Sequence, residues 1–317
     1  MKKIFVLTVS LLSFLFLLAQ KPTKKKIQEI KDEGTALYTL EHANEVALDV
    51  FYENEYEKKG IKGYFTYKDG DTLKTLFYGK VDTLSVNYKS QPDSVKKYYR
   101  TDSLNMIVIL KTFYFIKGIN AKKVKIIDAS RRPNEYERLL FEIRLKAWKE
   151  FNSDPTTYVH HDGTTLSMST IDWGKTIKVY IITLPNQPGF VSFGNDYIFI
   201  WDKKLKKFTE KKKLHPNLIP VPPEYKGEKK AAIKSSFHNH KGDADPFITC
   251  TDICILMLFK GGVEWEQHYV YSEKWVSVYV LWNGTLTIND AKDFKNQTKV
   301  KEQDPDEVKI EKKDGEE

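Results

Sequence analysis

The sequence contains little cysteine. Only two cysteines, Cys250 and Cys254, occur among 317 residues. This count excludes a fold stapled by several disulfides, and their spacing on one predicted helix suits a disulfide poorly. We predict two buried free thiols. In the alternative, Cys250 lies close enough to a metal site near Asp252 to affect it.

Several catalytic signatures are absent as well. The sequence has no Gly-x-Ser-x-Gly elbow, no Walker loop, no dinucleotide fingerprint and no His-Glu-x-x-His pair. The formal net charge is +8, but the basic residues are scattered. The charge therefore gives no reason to expect a nucleic-acid partner, and it does not exclude a peptide or protein substrate.

The N-terminal residues have the pattern of an export signal. Lys2 and Lys3 precede an apolar run over residues 4–19. This predicts a signal peptide over residues 1–19, cleaved between Ala19 and Gln20. No cysteine lies directly after the predicted cleavage site, so a lipoprotein anchor is not expected. We expect a periplasmic or secreted protein without a transmembrane segment after cleavage, and an uncleaved N-terminal anchor is the alternative.

The first part of the chain predicts an N-terminal α+β region over residues 20–130. Apolar spacing predicts a helix over 35–53, and Asp69-Gly70 predicts a hairpin between strands at 63–67 and 73–78. Residues 104–115 are predicted as a buried strand or short helix. A second helix follows residues 131–134, and its predicted inner face consists of Tyr136, Leu139, Leu140, Ile143, Ala147 and Trp148.

The second part predicts a mixed β-sheet domain with flanking helices over residues 131–296. One helix is expected over 249–259, with a Pro-rich connection at 216–223. The predicted strands are 176–184, 190–193, 197–201, 231–240, 269–271, 276–281 and 285–288. Residues 297–317 are predicted to form an acidic, disordered tail. The overall fold class is therefore α+β.

Two histidines on one predicted strand form the most informative motif. His238 and His240 are two residues apart, so their side chains point to the same face of the strand. Asp252 follows after a short loop and a Thr at position 249. Two His, one Asp and one open coordination position make up a catalytic zinc site, so His238, His240 and Asp252 are predicted to hold Zn²⁺.

This segment resembles the JAMM motif of MPN-domain metalloproteins, and most closely its bacterial RadC-type branch. In that family seven residues separate the His pair from a Ser, whereas here eight residues separate His240 from Thr249, and Lys241 stands in place of a frequent Pro. The resemblance implies an MPN-like fold and a zinc-dependent peptidase or isopeptidase. It also implies that Thr249 hydrogen-bonds near the developing oxyanion.

The catalytic base that this resemblance implies has no clear counterpart. In the family it is a Glu upstream of the His pair. Glu150 is the candidate at a helix end, and Asp172 and Glu228 are others. Since none matches well, the alternative function is a non-catalytic envelope or secreted interaction protein with a degenerate metal site.

Other residues allow simpler interpretations. Thr249-x-x-Asp252 also fits a capping box at a helix N-terminus. A helix N-terminus could activate Cys250 as a nucleophile, although no partner for it is evident. We predict that His215 and His268 are surface residues or residues that support the ligands, and that His268 could return near the site.

Overall fold

The structure is a computed structural model. It describes residues 21–56, 60–81, 89–186, 190–221, 234–242 and 244–302. The predicted signal peptide, Glu228 and the predicted tail beyond residue 302 lie outside the described residues. Among the described residues, no helix is long and apolar enough to cross a membrane.

The described residues contain both helices and several antiparallel and mixed sheets, which confirms the α+β class. The helices are α1 Lys24–Glu53, α2 Asp93–Thr101, α3 Glu135–Ser153, α4 Cys250–Phe259 and α5 Ala291–Glu302. The strands are β1 Ile61–Asp69, β2 Thr72–Lys80, β3 Ile107–Phe115, β4 Lys125–Ile127, β5 Thr164–Trp173, β6 Thr176–Pro185, β7 Val191–Gly194, β8 Tyr197–Asp202, β9 Lys207–Lys213, β10 Leu218–Val221, β11 Ser235–Asn239, β12 Gln267–Tyr271, β13 Trp275–Val280 and β14 Thr285–Asp290.

Contacts between Cα atoms divide the chain into two compact units. The larger unit contains Ile30–Ile233 and Thr249–Glu264, and the smaller contains Met1–Glu29, Lys234–Ile248 and Trp265–Glu317. The division passes through the predicted C-terminal domain, so that β11 and α4 belong to different units. The domain boundaries inferred from the sequence stay a prediction.

The larger unit is built on two antiparallel four-stranded sheets, ordered β1-β2-β3-β4 and β5-β6-β8-β9, and on the pair β7-β10. The hairpin predicted at Asp69-Gly70 joins β1 to β2, and Gly70 has a φ of +59°. A positive φ is readily adopted by glycine, which explains the residue in this turn. Residues 104–115 contain a strand, β3, after a short 3₁₀ turn.

Helix α3 begins at a capping box. The side chain of Asn134 accepts from the Glu137 N–H, and the Glu137 carboxylate accepts from the Asn134 N–H. Arg131 donates to both carboxylate oxygens of Glu137 at 2.6 and 2.7 Å, and Tyr67 donates to Oε1 at 2.8 Å. Burial raises the pKa of Glu137, but these hydrogen bonds outweigh it and the net shift is downward. The carboxylate is therefore a charged structural anchor that ties α3 to β1.

The smaller unit is a mixed four-stranded sheet ordered β11-β12-β13-β14. Strand β11 runs parallel to β12, and the other neighbours are antiparallel. Val276, Val278 and Ala291 form a small core on which Tyr269, Tyr271 and Phe294 pack. A turn that contains Asn283 and Gly284 connects β13 to β14, and Gly284 has a φ of +66°.

Several sequence predictions differ from the structure. Helix α1 begins earlier than residue 35, because the Thr23 hydroxyl accepts from the Lys26 N–H and caps the first turn. Trp148 is 42% exposed rather than on the inner face of α3. The predicted Pro-rich connection contains β10, which pairs with β7 through Leu218–Val221. Helix α5 extends to Glu302, into the predicted tail.

Helices α1 and α4 approach so closely in the larger unit that Gly34 has no room for a side chain. A Cβ on Gly34 would lie 2.7 Å from Ile253 Cβ. We expect Gly34→Ala to lower the free energy of unfolding by about 1–3 kcal/mol, because overpacking outweighs the gain in helix propensity. Urea unfolding measures the change, with Gly261→Ala, whose Cβ would meet nothing within 4 Å, as control. Equal stability of the two variants would contradict this packing.

Candidate metal centre

Strand β11 presents its side chains alternately to the two faces of the sheet. Ser236 and His238 are buried, whereas Phe237 between them is 62% exposed. The His240 N–H donates to the Tyr271 carbonyl at 2.7 Å and so continues the strand by one residue. His240 is 4% exposed and lies on the buried face with His238, which is 2% exposed. The two histidines therefore share a face, as their spacing predicts.

The two imidazoles turn the same ring nitrogen toward each other. His238 Nε2 and His240 Nε2 lie 3.0 Å apart, and the ring centroids are 4.9 Å apart. The other nitrogen of each ring is also engaged: His240 Nδ1 lies 2.6 Å from the Asp245 carbonyl oxygen, and His238 Nδ1 lies 2.9 Å from His268 Nε2. Ligating histidines in proteins show this arrangement, with one nitrogen toward the metal and the other held by a partner.

The position of His268 follows from the register of the sheet. Strand β12 places His268 opposite Ser236 in the parallel pairing with β11, and His268 Nδ1 lies 2.7 Å from the Ser236 hydroxyl. His268 is fully buried. The expectation of a surface position for His268 is therefore wrong, and the alternative that it returns near the His pair is confirmed.

His240 also lines a pocket of about 600 Å³ that lies within the smaller unit. Its walls include Lys241, Pro246, Tyr271 and Trp275. Pockets of this size accommodate small ligands or short peptide segments. His240 is thus buried but borders a space that a ligand can enter.

The larger unit holds Asp252, the third predicted ligand, at the N-terminus of α4. Thr249 caps this helix and Asp252 closes a capping box, which confirms the simpler interpretation of these two residues. The Thr249 N–H and hydroxyl both donate to Asp252 Oδ2 at 2.8 Å. Asp252 is 1% exposed. Its role as a metal ligand stays a prediction.

A second buried carboxyl group, Asp196, belongs to the same hydrogen-bond network. Its side chain bonds Thr251, whose hydroxyl lies 2.9 Å from that of Thr249, and Thr183 N–H donates to Asp196 Oδ1 at 3.0 Å. Burial first, and then the nearby charge of Asp252, raise the pKa of Asp196 to about 8. Two threonine hydroxyls thus connect a carboxyl group that holds a proton at neutral pH to the Asp252 carboxylate.

His215, also in the larger unit, is another buried histidine. It is 1% exposed, which contradicts a surface position, and the other predicted role, a residue that supports the ligands, stays a prediction. Its Nδ1 lies 2.8 Å from the Asn217 carbonyl oxygen. Gly194 has a φ of +84°, and a Cβ there would lie 2.3 Å from His215 Nδ1, so the glycine makes room for the ring. In the sequence, Gly194 gives no indication that a histidine packs against it, so the burial of His215 could not be predicted.

The candidate bases from the sequence lie in ion pairs. Glu150 accepts from Lys211 Nζ at 2.5 Å, and Asp172 accepts from Lys203 Nζ at 2.6 and 2.7 Å. The two cysteines are free and buried, as predicted. Burial raises the pKa of both thiols well above the usual range, which disfavours a nucleophilic role for Cys250.

Comparisons with protein-family profiles, with curated proteins and with solved structures found no match to this chain. The inference of a metal site therefore depends on the residues themselves. His238 and His240 belong to a group of buried histidines whose ring nitrogens lie close enough together to hold a metal ion. The geometry does not identify the metal.

The raised pKa of Asp196 predicts a pH-dependent stability. The unfolded chain releases this proton from about pH 4 upward, whereas the folded protein retains it to about pH 8. Stability due to this group is therefore complete below pH 4 and is lost as the pH rises toward 8. Asparagine does not titrate. We therefore expect the free energy of unfolding of Asp196→Asn to rise relative to that of the wild type by up to about 1.4 kcal/mol per pH unit between pH 5 and 7.

Urea unfolding at several pH values measures this difference. The exposed Asp162→Asn is the matched control and should follow the wild type. The charge that acts on Asp196 is that of Asp252, and burial raises the pKa of the Cys250 and Cys254 thiols well above this pH range. Parallel stability curves for Asp196→Asn and wild type would show that Asp196 is ionised in the folded protein.

Proposed function

We propose that this protein holds a zinc ion through Nε2 of His238 and Nε2 of His240. The carrying observation is the 3.0 Å separation of these two nitrogens in a buried environment. Two lone pairs at this distance repel each other, so either a proton or a cation must lie between them. Imidazole nitrogens suit zinc, copper and nickel, and the resemblance to JAMM proteins favours zinc.

The resemblance implies Asp252 as the third ligand, and this role stays a prediction from the motif. Its two cap hydrogen bonds both go to Oδ2, so the structure shows a helix cap at this residue. Two histidines and one carboxylate are a ligand set of catalytic rather than structural zinc sites.

The reaction class that this set supports is hydrolysis of an amide bond in an exported peptidase or isopeptidase. Zinc would supply Lewis-acid polarisation of the scissile carbonyl. The pocket beside His240 has the size for a peptide segment.

The second candidate function is a non-catalytic envelope or secreted binding protein. The observation that favours it is the placement of Glu150 and Asp172 in ion pairs with lysines. A peptidase assay with zinc-loaded protein separates the two functions. Cleavage that is lost in His238→Ala supports the enzyme, and full zinc occupancy without cleavage of a broad peptide library supports the binding protein.

Zinc content tests the proposed metal site directly. We expect the wild type to bind one zinc per chain after dialysis against a weak chelator, and His238→Ala and His240→Ala to bind none, because each removes one of two ligands that define the site. Metal analysis by mass spectrometry gives the stoichiometry. His160→Ala, which removes an exposed histidine, serves as control. Equal zinc in all four proteins would refute the site.

Thermal melts separate the two roles of Asp252. As a cap alone, Asp252→Asn should cost about 0.5–1 kcal/mol whether or not zinc is present. As a ligand it should also remove the stabilisation by zinc, since only bound metal stabilises the folded state. We expect a chelator to lower the melting temperature of the wild type and to leave that of Asp252→Asn nearly unchanged. The same response in both proteins would make Asp252 a cap only.

A further inference from the structure

We infer that His268 is a positioning residue for the metal ligands, at the centre of a hydrogen-bond chain whose proton order reverses when a metal binds. This inference rests on the proposed zinc site and extends it to residues that the motif does not contain. The chain runs from Ser236 through His268, His238 and His240 to the Asp245 carbonyl, entirely within the smaller unit.

The contacts of this chain are continuous and buried. Successive heavy-atom distances are 2.7 Å from Ser236 Oγ to His268 Nδ1, 2.9 Å from His268 Nε2 to His238 Nδ1, and 3.0 Å from His238 Nε2 to His240 Nε2. The last is 2.6 Å, from His240 Nδ1 to Asp245 O. Ser236 and the three rings are at most 4% exposed. Each contact therefore needs one proton, or in the case of the two Nε2 atoms a cation, because an unmatched buried polar atom is costly.

The Asp245 carbonyl fixes the first proton. A carbonyl oxygen only accepts, so His240 Nδ1 carries a proton and, in a neutral ring, His240 Nε2 carries the lone pair. The Asp245 carboxylate accepts from the Phe247 N–H at 3.1 Å, which holds this turn in place. The proton on His240 is thus set by the backbone and not by the neighbouring rings.

One proton order follows if the two Nε2 atoms share a hydrogen bond. His238 Nε2–H then donates to His240 Nε2, so a neutral His238 accepts at Nδ1 from His268 Nε2–H. His268 Nδ1 in turn accepts from the Ser236 hydroxyl. Every contact in the chain is satisfied, and His268 is the Nε2–H tautomer.

The opposite order follows if a cation takes both Nε2 lone pairs. His238 then carries its proton on Nδ1 and donates to His268 Nε2. His268 becomes the Nδ1–H tautomer and donates to the Ser236 oxygen. Both orders contain the same number of protons when all three rings are neutral. The proton that leaves His238 Nε2 is balanced by the one that Ser236 regains after its own proton passes to His268 Nδ1, so the reversal involves no net uptake or release.

The residue types in the hydrogen-bond chain suit both proton orders. The hydroxyl of Ser236 can donate or accept, so it suits both orders, whereas a carbonyl or an N–H would allow only one. An imidazole at position 268 can likewise exchange its donor and acceptor atoms. A glutamine could do so at one end, by rotating its amide, and a leucine could not.

Nitrogen-15 NMR of histidine-labelled protein tests the reversal, because the chemical shifts of Nδ1 and Nε2 identify the tautomer. Spectra are recorded at about pH 8, above the usual histidine pKa of about 6.5. We expect His268 to be Nε2–H with chelator and Nδ1–H with zinc. Zinc binding without a change at His268 overturns the inference and leaves the zinc site intact. A failure to bind zinc overturns both the inference and the zinc site. The Nδ1–H tautomer of His268 in the chelated protein contradicts the proposed hydrogen-bond chain, whether or not zinc binds.

Variants of His268 test its positioning role separately. We expect His268→Leu to weaken zinc binding by about 10–100-fold and His268→Gln to stay within a few fold of the wild type, because glutamine can still accept from His238 Nδ1–H. Titration with a competing zinc dye gives the affinities, circular dichroism confirms folding, and the exposed His160→Leu is the control. Equal losses in Leu and Gln, or no loss in Leu, would overturn the role of His268.

Discussion

The buried imidazoles of the smaller unit impose one constraint on everything around them: each ring nitrogen needs a partner. His238, His240 and His268 are at most 4% exposed, so little of their surface is in contact with bulk solvent. The sheet meets the need through the parallel register of β11 and β12, which places His268 beside His238. The Asp245 carbonyl oxygen is the partner of His240, because it accepts a hydrogen bond from His240 Nδ1. A shift of β11 by one residue would expose both histidines and bury Phe237 instead.

In the larger unit, threonine hydroxyl groups provide hydrogen-bond partners for two buried carboxyl groups. Asp196 and Asp252 are both 1% exposed, and two ionised carboxylates would repel each other in this environment. Burial raises the pKa of Asp196 to about 8, so this group stays protonated at neutral pH. Asp252 lies at the N-terminus of α4, where the helix dipole favours a negative charge. The hydroxyl groups of Thr251 and Thr249 connect the two carboxyl groups through hydrogen bonds.

Local signals predicted most of what the sequence could reveal. The Asp69-Gly70 hairpin, the Thr249 cap and the alternation of β11 each depend on residues within one element, and all are present. Strands β5 and β9 were not predicted, because serine, threonine and lysine interrupt their apolar alternation. The partners of the His pair could not be predicted either. His268 meets His238 through strand pairing across 30 residues, and no local pattern encodes that register.

Asp252 allows two interpretations, a helix cap and a metal ligand, and the structure shows the cap. The Thr249 N–H and hydroxyl both donate to Asp252 Oδ2, and these bonds fix the side-chain rotamer. The histidines of the smaller unit are held in the same way, since their Nδ1 contacts orient the rings so that both Nε2 atoms converge. A side chain that is already held loses less conformational entropy when it binds a ligand. A clear structural role therefore does not remove a residue from the candidates for a site, because the contacts that fix a side chain also set the direction of its donor atoms.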